Sequence, residues 1–229
     1  MPNAIFAQLW FTSNLPRVKV SEMVGNSTIS ISYSQPTLNW KKTWGKRVPF
    51  KRNWAIGDKE KTIITFEEDV EVNNIRLGAG TYGFYVYPVN EDDWQIVFST
   101  DTAGTADEFD RLDDILRVSV SPEEAPFQEK LKMGIENIEA IDNNSEDPGN
   151  SSGSFFENKP SIANLFLHWE MKRANLKLVF TGERRGNSNN PLNPSISQNS
   201  IKAWKVVKAS LLALLKEDFI KHTENFSDD

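Results

Sequence analysis

The chain has 229 residues, a formal net charge of −6 and a pI near 5.1. This length suffices for one sizeable domain with an appendage, or for two small domains. The acidic balance argues against a nucleic-acid partner, which usually needs a basic face. The absence of cysteine excludes disulfides, thiolate catalysis and cysteine-ligated zinc. No apolar run approaches the ~20 residues that a membrane-spanning helix needs.

The first residues resemble the end of a signal peptide. Residues 4–7 read Ala-Ile-Phe-Ala and are followed by Gln8, as at a cleavage point after a small residue. We therefore expect residues 1–17 to contain a signal-peptide remnant, with an ordinary N-terminal tail as the alternative. Export would place the protein in the periplasm, at the outer membrane or outside the cell.

Alternation of apolar and polar residues, the period of a half-buried strand, recurs through most of the chain. Residues 82–87 are apolar on both faces, which predicts a central strand. The acidic turn at residues 90–93 predicts a hairpin, and residues 173–175 predict a second short turn. The alternating segments are 28–33, 63–66, 82–87, 94–98, 116–120, 165–171 and 176–180.

Strands this short, separated by turn residues, predict an all-β fold. We expect an antiparallel, jelly-roll-like β-sandwich over residues 18–181, with closure into a barrel as the alternative. Residues 142–161 are rich in Asn, Ser and Gly and are predicted to form a mobile loop within the domain.

The C-terminal part changes period. Residues 182–199 have the composition of a linker, and residues 200–221 are predicted to form an amphipathic α-helix with Ser200 as its N-cap. Docking of this helix against its own domain is favoured over attachment to a membrane surface. Its apolar stripe consists of Trp204, Val207, Leu211, Leu214 and Leu215.

The sequence offers little for metal or covalent chemistry. His168 and His222 have no His or Cys neighbour at ligand spacing, and the acidic run 107–114 lacks the pattern of a calcium loop. No Gly-x-Ser-x-Gly motif occurs. We therefore expect no metal, no cofactor and no catalytic residue. Glu60 is the one carboxylate singled out, and a turn-fixing role is favoured for it.

Aromatic residues are the remaining resource for binding. Trp40, Trp44 and Trp54 lie in a segment rich in Lys and Arg, and exposed Trp beside cations can stack on sugars or bind anionic polymers. Packing of these aromatics into one end of the sandwich is the favoured interpretation, since large aromatics are buried on average. The candidate binding residues are Trp54, Glu60, Trp40 and Trp44.

Several ordered motifs carry a resemblance to a known family. They read Ile-Ser-Tyr-Ser-Gln-Pro at 31–36, Gly-Lys-Arg-Val-Pro-Phe at 45–50, Leu-Gly-Ala-Gly-Thr-Tyr-Gly-Phe at 77–84 and Leu-Phe-Leu-His-Trp at 165–169. With Trp54 and Glu60, they make residues 18–181 resemble the domain of unknown function 2911 family. The resemblance implies an exported, β-rich domain of the kind found in Bacteroidetes-type bacteria, and it implies no reaction.

Two positions depart from the pattern of that family. The family usually has Arg directly after Trp54 and Asn directly before Glu60, where this chain has Ala55 and Lys59. If those family residues form a polar site, this chain has lost half of it.

The leading prediction is a non-catalytic binding or interaction module outside the cytoplasm, with a glycan or an envelope protein as its partner. The alternative is a carboxylate-dependent hydrolase of envelope polysaccharide that uses Glu60. A third hypothesis is peripheral attachment to a membrane through residues 200–219.

Overall fold

The computed structural model describes residues 15–38, 42–57, 60–105, 109–141 and 160–181. Within these ranges the chain forms ten β-strands and one short 3₁₀-helix, with no α-helix. The predicted all-β class is therefore confirmed. The predicted linker, the predicted helix at 200–221 and residues 142–159 of the predicted loop lie outside the described residues.

The strands belong to two antiparallel sheets. A six-stranded sheet has the order β1-β2-β3-β6-β7-β8, and a four-stranded sheet has the order β5-β4-β10-β9. A 3₁₀-helix at Arg111–Asp113 precedes β8. The bounds are β1 Arg17–Val24, β2 Ser27–Ser34, β3 Thr62–Phe66, β4 Val70–Val72, β5 Ile75–Leu77, β6 Gly80–Pro88, β7 Trp94–Ser99, β8 Asp114–Val120, β9 Glu123–Ala140 and β10 Ser161–Phe180.

The connectivity does not follow a jelly roll, which is built from two Greek keys. Four of the five pairings in the six-stranded sheet join strands that are consecutive in the chain, and β4 and β5 belong to the other sheet before the chain returns to the larger one at β6. The jelly-roll part of the prediction is wrong. Alternation within a strand indicates burial on one face, but it does not indicate which strand lies beside it.

One hydrophobic core lies between the two sheets. The ring of Phe66 on β3 and that of Phe180 on β10 have centroids 6.5 Å apart, which places the buried faces of the sheets in contact. β6 lies between β3 and β7 with Tyr82, Phe84 and Val86 buried on the core side. The prediction of a central strand here is confirmed.

A bulge replaces the turn predicted at residues 173–175. β10 runs unbroken from residue 161 to residue 180, and its pairing with β9 shifts register on both sides of Glu170. Glu170 has a positive φ of 58°. Before Glu170, the odd-numbered side chains of β10 face the core, and after Glu170 the even-numbered ones do. Met171 is accordingly 53% exposed. The predicted turn is therefore wrong, and Met171 departs from the alternation of residues 165–171, because β10 changes phase at the left-handed residue Glu170 without turning.

Candidate functional site

Four tryptophans pack together at one end of the core, and we call them the tryptophan cluster: Trp44, Trp54, Trp94 and Trp169. Trp54 stacks on Trp169 with centroids 5.6 Å apart and planes 10° apart. Trp44 contacts Trp94 at a centroid distance of 4.0 Å. Trp44, Trp94 and Trp169 are buried, and Trp54 is half-buried. The cluster thus packs into the core, and Trp44 presents no open face for stacking on a ligand.

Backbone contacts hold the segment that carries Trp54 in line with the six-stranded sheet. The Trp54 N–H donates to the Val86 carbonyl at 2.8 Å, and the Val86 N–H donates back at 2.9 Å. The side chains of residues directly opposite each other in an antiparallel pair point to the same face of the sheet, so the Trp54 side chain, like that of Val86, faces the core. Arg47 lies over the Trp169 ring, 5.0 Å from its centroid. Trp40 lies outside the described residues.

Glu60 does not join the tryptophan cluster in any contact of the described residues. Its side chain is 70% exposed, and its Oε2 lies 3.0 Å from Nη1 of Arg17. Arg17 also donates to the Lys61 carbonyl at 2.8 Å, and the Glu60 backbone forms a bridge with Thr105. The structure thus brings Trp44 and Trp54 together and places Glu60 in a surface ion pair.

A concavity lies on the opposite face of the six-stranded sheet, and we call it the outer cleft. It is shallow, with an enclosed volume of only about 10 Å³, which is room for about one water molecule. Because Tyr82, Phe84 and Val86 face the core, Gly83 and Tyr85 face the outer cleft. The lining residues are Ala55, Lys61, Gly83, Phe84, Tyr85, Ser99, Asp101, Phe109 and Asp110.

An ion pair forms one wall of the outer cleft. The Lys61 Nζ lies 2.5 Å from Oδ2 of Asp101, with the two side chains 7% and 28% exposed. Asp101 is held in place because its N–H donates to Oγ of Ser99 at 3.1 Å. A Cβ added to Gly83 would lie only 2.3 Å from the Asp101 carbonyl oxygen, so the absence of a side chain there permits the close approach.

Two aromatic rings stand beside this ion pair. The rings of Tyr85 and Phe109 have centroids 4.7 Å apart, at an interplanar angle of 57°. The Tyr85 hydroxyl donates to Asp114, whose other carboxylate oxygen accepts from Arg117 Nη2 at 2.6 Å. Burial, followed by the hydrogen bond to Asp114, raises the pKa of Tyr85 above its ordinary value. The hydroxyl is therefore neutral at neutral pH and remains a donor.

Residues 15–146 match the profile of a protein family described as "Protein of unknown function (DUF2911)". The chain belongs to this family. No curated protein and no solved structure matches the chain significantly. The matched region of this DUF2911 protein contains β1 to β9 and ends before β10.

The outer cleft joins residues that sequence reasoning did not select in this DUF2911 chain. Lys61, Tyr85, Asp101 and Phe109 were not singled out, because each is an ordinary residue of a strand or loop when considered alone. The sequence did contain one indication of this site, Gly83, because a glycine within a strand often marks the close approach of another backbone segment. One position noted in the sequence does lie here: Ala55, the residue after Trp54, lines the cleft.

Metal binding finds no support within the described residues. No group of three or more His, Asp or Glu side chains there could hold an ion. His168 is buried, and its Nε2 lies 2.9 Å from the Pro126 carbonyl oxygen. No helix capable of spanning a membrane occurs among the described residues.

Proposed function

We propose that this DUF2911 domain is a non-catalytic module that binds an envelope glycan through the outer cleft. One observation carries the proposal: the Tyr85–Phe109 ring pair and the Lys61–Asp101 ion pair line the same concavity. Ligand sites combine apolar or aromatic walls with a few placed polar groups, and rings pack against the C–H faces of sugars. Because the cleft has room for about one water molecule, a glycan would lie across its rim and rings and would not enter it.

A glycan module operating in the envelope requires export. We therefore also propose an extracytoplasmic location, supported by the similarity of residues 4–8 to a signal-peptide cleavage point. N-terminal sequencing of the protein from its native host tests this, and an intact Met1 would contradict it. The two facing sheets support the further proposal that the domain is a β-sandwich.

The hydrolase alternative has weaker support. Glycosidases use two carboxyl groups that flank the scissile bond across a cleft. Glu60 is exposed, pairs with Arg17 and is not among the residues that line the outer cleft. Asp101 is already paired with Lys61.

A glycan array followed by calorimetric titration tests the proposal on the full chain. We expect at least one glycan class to bind, and Phe109→Ala to weaken binding about tenfold, which is about 1.4 kcal/mol. Phe127→Ala is the matched control, because Phe127 is 62% exposed on β9 and does not line the cleft.

Two outcomes would contradict glycan binding at this cleft. One is an array without signal, and the other is an equal loss of affinity in Phe109→Ala and Phe127→Ala. Release of new reducing ends from the bound glycan would favour the hydrolase alternative instead. If that activity survived Glu60→Gln, Glu60 would not be the catalytic carboxylate.

A further inference from the structure

We infer that the glycan bound by this domain is acidic, and that its negative groups contact the loop of residues 43–52, which we call the basic loop. The inference rests on the proposed function and specifies its substrate class. It follows from the charge of the loop, its backbone structure and its position beside the outer cleft.

The segment around the basic loop carries positive charge alone. Residues 37–57 contain six Lys or Arg residues and no Asp or Glu, in a chain with a net charge of −6. Four of these cations are exposed on the loop: Lys46, Arg47, Lys51 and Arg52. Lys46, Lys51 and Arg52 form no ion pair with any described residue. The loop therefore presents cations that have no carboxylate partner of their own.

The acidic turn between β6 and β7 lies near the loop, but its carboxylates are largely engaged. Glu91 lies 2.9 Å from the Lys42 ammonium. Asp92 lies 3.2 Å from the Lys172 ammonium. Asp93 is half-buried. This turn therefore neutralises Lys42 and leaves the four exposed cations without a partner.

Two further carboxylates belong to the strands beside the loop. Glu170 on β10 is half-buried, and its carboxylate accepts from the Thr43 N–H at 3.3 Å. Glu129 on β9 is exposed and is followed by Lys130, which is also exposed. Even when Asp93, Glu129 and Glu170 are all counted against the four exposed cations, the loop keeps an excess of positive charge.

The backbone of the basic loop is ordered by its own contacts. The Gly45 N–H donates to the Val48 carbonyl at 2.9 Å, and the Val48 N–H donates to the Thr43 carbonyl at 2.9 Å. The Phe50 ring packs on Gly45, where an added Cβ would lie 2.7 Å from Cε2. A ligand therefore does not have to order the loop when it binds, which lowers the entropic cost of association.

The basic loop continues directly into the outer cleft. The Lys51 N–H donates to the Pro88 carbonyl at 2.7 Å, at the end of β6. Tyr85, whose ring stands in the cleft, precedes Pro88 by three residues, which is about 10 Å along a strand. Ala55, four residues after Lys51, lines the cleft. A glycan that lies across the rim and rings of the cleft can therefore reach the basic loop with its neighbouring sugars.

Acid groups on a sugar chain match this surface. Ammonium and guanidinium groups bind carboxylate, sulfate and phosphate groups through charge-assisted hydrogen bonds. The cations are distributed along a loop and not gathered in a pocket, so they suit acid groups on successive sugars. An acidic glycan can thus pack one sugar against the rings of the cleft while the acid groups of the next sugars meet the loop.

Two oligosaccharides that differ only in charge test the inference on the full chain. One is an oligogalacturonate, and the other is the same oligomer with every carboxyl group methyl-esterified. We expect calorimetric titration at neutral pH and low salt to give at least about tenfold tighter binding of the free acid. Added salt should reduce this difference, because screening weakens the attraction between charges.

Charge-removing variants test the location. We expect Lys51→Gln and Arg52→Gln each to weaken binding of the oligogalacturonate several-fold and to leave binding of the methyl ester unchanged. Lys19→Gln is the matched control, because Lys19 is an exposed cation on β1, which β2 and β3 separate from β6. This control should leave the affinity for both oligomers unchanged.

The outcomes separate the inference from the proposed function. Equal or tighter binding of the methyl ester would overturn acid recognition and leave glycan binding intact. An equal loss of affinity in Lys19→Gln and Lys51→Gln would overturn the assignment to the basic loop. Binding to phosphatidylglycerol vesicles as tight as to the oligogalacturonate would favour a membrane surface and overturn the assignment to a glycan. A lack of binding by both oligomers would overturn the inference, and a glycan array that was also empty would overturn the proposed function.

Discussion

At the scale of single residues, the outer cleft depends on side chains whose roles come from their neighbours. Because Gly83 has no side chain, the backbone of Asp101 can pack closely against it, and the Asp101 carboxylate forms an ion pair with Lys61. None of these residues forms a sequence motif with the others. Trp54 and Glu60, which the sequence singled out, enter the core and a surface ion pair respectively. The residue between them that lines the cleft is Ala55, one of the two positions that depart from the family pattern.

Tyr85 gives a prediction for the pH dependence of stability. Its folded-state pKa is raised by burial and by the hydrogen bond to Asp114. Below about pH 10, the ordinary tyrosine pKa, the phenol is neutral in both the folded and the unfolded state, and its full contribution to stability is present. As the pH rises further, the unfolded state releases its proton first, so this contribution is lost with increasing pH.

Urea denaturation across the alkaline range measures this effect. We expect the unfolding free energy of the native protein to fall above about pH 10 more steeply than that of Tyr85→Phe, which has no proton to release there. The comparison between the two proteins cancels the titration of the other tyrosines and the lysines. Parallel pH profiles would show that the environment of Tyr85 does not favour its neutral form.

At the scale of elements, the irregular pairing of β9 and β10 at Glu170 explains why alternation predicted a turn. Leu165 and Leu167 face the core before the bulge, and Leu176 and Leu178 face it afterwards. When the apolar residues switch from odd-numbered to even-numbered positions, the sequence looks the same whether the chain makes a turn there or continues as one strand with a bulged pairing. The distinction is made by β9, which stays paired with β10 on both sides of Glu170.

The positive φ at Glu170 gives a prediction for this bulge. Glu170→Gly should be more stable than Glu170→Val by about 1–2 kcal/mol, because left-handed backbone is costly for a residue with a Cβ. Both variants lose the bond that the Glu170 carboxylate accepts from the Thr43 N–H, so their difference isolates the backbone. Chemical denaturation measures it, and equal stabilities would contradict a conformational requirement at this position.

The strand β9 shows what sequence patterns miss. It extends over Glu123–Ala140 at the edge of the four-stranded sheet, yet most of its side chains are exposed. Leu131 and Met133 are its buried large side chains, and Pro126 lies within it. Edge strands commonly carry charged residues and proline, which weakens the alternation that identifies a strand.

At the scale of the whole molecule, β10 joins parts of the chain that are distant in sequence. It pairs with β9 over its first part and with β4 at its end. Its buried side chains include Leu165, Leu167, Trp169 and Phe180, which complete the core against the larger sheet. The region that matches the family profile ends at residue 146, before this strand begins.

This arrangement predicts that residues 15–146 do not fold alone. Without β10, β4 and β9 lose a paired edge, and the core loses large side chains whose individual truncation to Ala costs about 2–5 kcal/mol. A fragment of residues 15–181, which restores β10, is the matched control and should unfold cooperatively. Near-ultraviolet circular dichroism and urea titration of the two fragments make the comparison. A cooperative transition in the shorter fragment would show that β10 is dispensable.

The sequence by itself determined the all-β class, the central position of β6 and the hairpin between β6 and β7. These features depend on residues one or two positions apart, and alternation and turn composition record such local relations directly. The motifs also sufficed to identify the family. Only the tertiary structure decided the strand order, the irregular pairing at Glu170 and the outer cleft. Those features arise from pairing and close approach between distant segments, and no local pattern encodes which segments will meet.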